Sequence, residues 1–245
     1  MHSPWLAIAL FGIALLPFVL RSISIFIAGL KGLDTPRPTT SMAWASVGFH
    51  LGLGGLILWA FSAGLMTPGA IGIRVDRVGG IILFGWVGWM LVIVAGMVEQ
   101  LFRVTEYRIR DFVRIQRLIW PRSISGRIGM ILVLAINPIT EEVIARGIMV
   151  RLVHQASDSL AAGLIVGLVV CWTTHLYQGL RSLPAHALFF GIATWLAYSE
   201  YGLLAAILCH LAVDLSVVFF SRGRMEWVRA ERTKRRAAPT VASNP

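Results

Sequence analysis

The sequence predicts an all-α fold, a polytopic transmembrane helical bundle, from three observations. The 245 residues are 57% hydrophobic and only 14% charged, with a mean hydropathy of +0.75, well above that of a soluble domain. Apolar stretches recur at lengths near the about 20 helical residues that cross a bilayer core. Basic residues gather on alternate connections between those stretches, the pattern that sets membrane orientation.

Seven spans follow in order, at roughly 5–30, 41–66, 79–98, 128–153, 159–178, 184–199 and 202–220. The first, WLAIALFGIALLPFVL, has no basic residue ahead of it and exceeds the apolar region of a cleaved signal peptide, so a retained helix is expected. Cys171 and Cys209 both fall inside spans, where a small buried thiol is expected and no disulfide framework is implied.

With the C-terminus in the cytoplasm, that side collects Lys31, Arg37, Arg181, the arginines between 103 and 127, and those of the tail. Only Arg74, Arg77 and Arg151 fall outside, while Arg21 and Arg146 lie within spans. The formal charge of +10 is therefore explained by topology and anionic lipid headgroups, and no nucleic-acid partner is expected.

The chain divides into N-terminal transmembrane helices (1–98), a basic interfacial segment (99–126), a helical core (127–220) and a basic tail (221–245). In the interfacial segment Phe102, Ile109, Phe112, Val113 and Trp120 are placed to face acyl chains, while Arg103, Arg110, Arg114 and Arg117 face phosphates. The Pro-rich GLDTPRPTT before Ser41 is a short connector, and the polar tail is expected to lose order beyond its first turns.

The charges inside the spans carry the chemistry. In PITEEVIARG (138–147), Glu142 and Arg146 are four residues apart and share a helix face, so they can pair. Each charge at a helix centre costs ~2.5–3.5 kcal/mol on insertion scales. Glu141 points about 100° away from Glu142 with no local partner, so it must face a water-filled cavity, a histidine or a metal. Pro138 removes a helical hydrogen bond just ahead of it. His175 ends an apolar run in VVCWTTHLYQG, and His210 and Asp214 stand at i, i+4 in AILCHLAVDLS. All lie near mid-depth, or toward the cytoplasmic side of it, in three separate spans. His50 and His186 lack such companions and are expected to be structural.

These elements, in this order, resemble the CPBP family of CAAX prenyl endopeptidases and bacteriocin-processing proteins. The family's two glutamates, three residues and an arginine match Glu141, Glu142 and Arg146. Its second histidine motif matches at His175, followed by LYQG, and its histidine with Asn or Asp four residues on matches His210 and Asp214, after a turn-like SEYG. The resemblance covers about 128–220. Cys171 stands where the second motif usually has Phe, Ala145 where an aromatic commonly precedes the arginine, and seven spans are read where members often have eight.

The resemblance implies an intramembrane endopeptidase of a bacterial plasma membrane, acting on a membrane-associated peptide or protein, such as a lipidated CAAX tail or a leader peptide. Glu141 would be the general base, His175 would hold the water, and His210 with Asp214 would face the other side of the scissile carbonyl. Glu142 and Arg146 would support the helix. No cofactor is required in that reading. The same Glu141, His175 and His210 would be the ligands of a zinc enzyme, although the HExxH pattern is missing. A proton- or cation-coupled transporter, and an inactive family member acting as a binding or immunity protein, are the alternative functions.

Overall fold

A computed structural model describes residues 4–31, 37–101, 113, 116–117 and 119–237. The described residues form helices joined by short connections, with no strand among them. In chain order they are α1 (Pro4–Leu30), α2 (Thr40–Ser62), α3 (Val78–Leu101), α4 (Ile124–Glu142), α5 (Val153–Ser157), α6 (Leu160–His175), α7 (Leu183–Tyr198) and α8 (Gly202–Ala237). A π-helix, Val143–Leu152, joins α4 to α5 without a break, and two 3-10 turns lie between α6 and α7.

Local sequence accounts for the helix starts. Thr39, Ser123 and Ser159 each accept a hydrogen bond from the N–H three residues on, satisfying donors that a first turn leaves open. The α5 end is set by Asp158, whose φ of 54° lies in the left-handed region that stops a helix.

Among the described residues six helices are long and apolar enough to cross a membrane, and the fourth runs unbroken over Ile124–Ser157, longer than the 128–153 expected. The stretch expected as the sixth span is only the 16-residue Leu183–Tyr198. It packs between the π-helix, α6 and α8. Across the first turns of the tail α8 continues through the basic residues to Ala237, and 238–245 lie outside the described residues. Of the expected interfacial segment, Phe102, Arg103, Ile109, Arg110, Phe112 and Arg114 lie outside the described residues, as does the connector at 32–36. Val113 and Trp120 are half-buried, and Arg117 is exposed.

The π-helix is the interior of the bundle. Residues 143–150 are all buried, against α1 and α6 among others. Ile144 and Ile148 join Phe11, Leu196, Leu203 and Ile71 in one core, with Ile71 supplied by the connection between α2 and α3. Lipid tails give no hydrophobic drive between helices, so close backbone approach matters. At Gly88 of α3, an added Cβ would stand 2.5 Å from Leu196 Cδ1 and 3.2 Å from Cys209 Sγ. That contact seats α3 against the turn of α8 carrying His210. Gly202 opens α8 with φ of 69°, and its missing Cβ leaves room for the Gly72 carbonyl, which accepts from Leu203 N–H.

Candidate functional site

The motif side chains sit on elements that face one another in the bundle interior. Glu142, fully buried, accepts from Arg146 Nη1 at 2.8 Å through Oε1. The same oxygen accepts from His210 Nδ1 at 2.7 Å. The guanidinium lies 4.8 Å from the Phe190 ring centre and 5.4 Å from that of Phe189, a placement that draws on the negative ring face. Phe189 also packs edge-on to His210 at 4.8 Å. The short α7 thus forms a wall that fixes both the cation and the imidazole.

With Nδ1 committed to Glu142, His210 turns Nε2 toward Glu141 Oε2 and Asp214 Oδ1, each 3.7 Å away. That separation exceeds a hydrogen bond. Asp214, at i, i+4, makes no hydrogen bond to His210 at this distance, and the contact that orients the imidazole comes from Glu142, 68 positions away in sequence. Glu142 is correspondingly more than a helix support, since it couples Arg146 to His210.

His175 is held differently. Its Nδ1 lies 2.8 Å from the Cys171 carbonyl oxygen, and a carbonyl can only accept. Nδ1 therefore carries a proton, and in the neutral imidazole Nε2 is left with its lone pair. Thr174 Oγ1 lies 3.1 Å from the same Nδ1. Cys171, where the resemblance led one to look for Phe, supplies the backbone atom that sets this tautomer.

Two residues expected to be structural also reach the site. His50 of α2 donates from Nδ1 to Thr140 Oγ1 at 2.9 Å, because the Thr140 hydroxyl itself donates to the Asn137 carbonyl at 3.0 Å. His186 of α7 donates from Nδ1 to the Ser182 carbonyl at 2.7 Å, and its ring lies tilted against that of His175 with centroids 4.5 Å apart. All four histidines anchor Nδ1 on an oxygen. No spacing rule in the sequence connects His50 with Thr140, 90 positions apart.

Two spaces open around Glu141, whose side chain is 19% exposed. One is a chamber of about 30 Å³, the size that holds a single water, with Glu141, His50, His175, Thr140, Thr174 and Arg146 in its walls. The other is a cavity of about 520 Å³. Its polar lining includes Glu141, His210, Asp214, His50, His175 and His186, and Phe18, Ile25, Met42, Val92 and Ile93 are among its apolar walls. Glu141, His50 and His175 line both spaces.

The family model described as type II CAAX prenyl endopeptidase Rce1-like matches residues 123–216. This segment is similar to an Rce1-like domain. It contains Glu141, Glu142, Arg146, His175, His210 and Asp214, and the family it resembles is one of proteases. His50 lies outside the Rce1-like segment although it faces the same spaces. No curated protein and no solved structure matches the chain.

A zinc ion would need Glu141, His175 and His210 to converge on one point. Among the described residues no group of three His, Cys, Asp or Glu side chains is gathered closely enough to ligate an ion. The set as arranged does not fit zinc.

Proposed function

We propose that the protein is an intramembrane endopeptidase in which Glu141 activates a water for attack on a peptide bond of a membrane-associated substrate. The supporting observation is the water-sized chamber walled by Glu141 and His175 beside a cavity large enough for an extended peptide segment.

Glu141 takes one proton as the water oxygen bonds to the carbonyl carbon, and the carbonyl electron pair moves onto oxygen. His175 Nε2, a lone pair by its tautomer, accepts the second water hydrogen and fixes the angle of attack. His210 faces the oxyanion from the larger cavity. Donation from Nε2 as well as Nδ1 requires the imidazolium, whose positive charge stands opposite Glu141, Glu142 and Asp214. Collapse of the intermediate breaks the C–N bond, and Glu141 returns its proton to the leaving amine. Glu142 and Arg146 hold His210 in place. The apolar walls of the larger cavity suit a substrate delivered from the lipid phase, whether a lipidated tail or an apolar leader.

The test is reconstitution in liposomes with a panel of membrane-anchored peptides, prenylated, acylated and unmodified, read by mass spectrometry. Cleavage at one bond in at least one class supports the proposal. Intact peptides together with proton or cation flux would replace it with transport.

A further inference from the structure

We infer that His50, on α2 and outside the Rce1-like segment, is a third hydrogen-bonding wall for the hydrolytic water, facing it through Nε2. The inference rests on the hydrolase reading of Glu141 and extends it to a residue that the family match does not contain.

Three observations converge. His50 is 4% exposed, yet it lines both the small chamber and the large cavity, as Glu141 and His175 do. Its Nδ1 is consumed by Thr140, the residue next to Glu141, and the Thr140 hydroxyl is consumed by the Asn137 carbonyl. The edge left for the chamber is Nε2, with its lone pair. The ring is held by Phe49 and Phe18, at centroid distances of 5.5 and 6.4 Å and edge-on in both cases.

The bond to Thr140 occupies Nδ1 alone, and the acceptor at Nε2 of a buried neutral imidazole still calls for a partner. Here it is aimed into a space shared with a carboxylate. A water offers two hydrogens. One goes to Glu141 in the reaction, and the other is accepted by an imidazole on the opposite wall. His175 and His50 approach that position from α6 and α2, so a water drifting from one is caught by the other. Glu141, His175, His50, Arg146 and Cys171 are the charged and titratable groups that line this chamber.

Substitution separates the two edges of the ring. An asparagine places its amide where Nδ1 was and can keep Thr140, whereas a glutamine reaches to the position of Nε2. His50→Leu is expected to lower kcat at least tenfold with little change in KM, His50→Gln to recover most of that loss, and His50→Asn to recover none. Recovery by His50→Asn and not by His50→Gln would overturn the inference, since the residue would then serve Thr140 only. A measurement without substrate judges the same point: water-edited NMR of histidine-labelled protein in nanodiscs. Magnetisation from water should reach the His50 ring, assigned by its loss in His50→Gln. A ring that receives none overturns the inference whatever the activity. Absence of cleavage by the wild type with a water-contacted His50 would count against the hydrolase reading alone.

Discussion

His210 Nδ1 and Arg146 Nη1 meet on one oxygen of Glu142, at 2.7 and 2.8 Å, so a fully buried carboxylate ties the π-helix to α8. Glu142→Gln removes the charge that balances Arg146 and should destabilise the protein by about 3–5 kcal/mol, the range for a buried pair broken on one side. Glu142→Leu combined with Arg146→Met should recover much of that stability without recovering turnover, because no side-chain oxygen then accepts from His210 Nδ1. Thermal unfolding in detergent alongside a cleavage assay checks both.

The packing of α3 against α7 and α8 is sensitive to one methyl group. Gly88→Ala would set a Cβ 2.5 Å from Leu196 Cδ1, and overpacking of this kind costs about 1–3 kcal/mol. The variant should unfold at lower temperature. Gly96 on the same helix has nothing within 4 Å of its missing Cβ, so Gly96→Ala should not lower the unfolding temperature.

Gly202→Ala forces a side chain onto a φ of 69° and toward the Gly72 carbonyl. The left-handed conformation alone costs about 1–2 kcal/mol. Loss of the Leu203 to Gly72 hydrogen bond should appear as faster amide exchange at Leu203, measured against Gly191→Ala, whose site is open.

Chelation should leave turnover unchanged, measured after dialysis against a strong zinc chelator. Loss of activity restored by zinc alone would contradict the metal-free mechanism.

The sequence made the bundle legible because crossing a bilayer demands long apolar helices, and it made the Glu142–Arg146 pair legible because four residues return to the same helix face. The site's other contacts follow no such period. His210 with Glu142 and His50 with Thr140 are pairings between distant elements, so no local spacing announced them. The π-helix was equally hidden, since nothing in VIARGIMVRL distinguishes its wider winding from an α-helix. The short α7 misled by hydropathy: its apolar residues serve an interior wall, Phe189 and Phe190 around Arg146, as much as lipid. Continuation of α8 through RGRMEWVRAERTKRRA was obscured by polar composition, although many of those residues favour helix.

The most direct measurement is single-turnover cleavage of a membrane-anchored peptide by wild type and by Glu141→Gln, with folding of both verified by their unfolding temperatures. Removal of a general base should slow the chemical step by about 10²–10⁴-fold while substrate binding is retained. An unchanged rate in folded Glu141→Gln would contradict the assignment of Glu141 as the base.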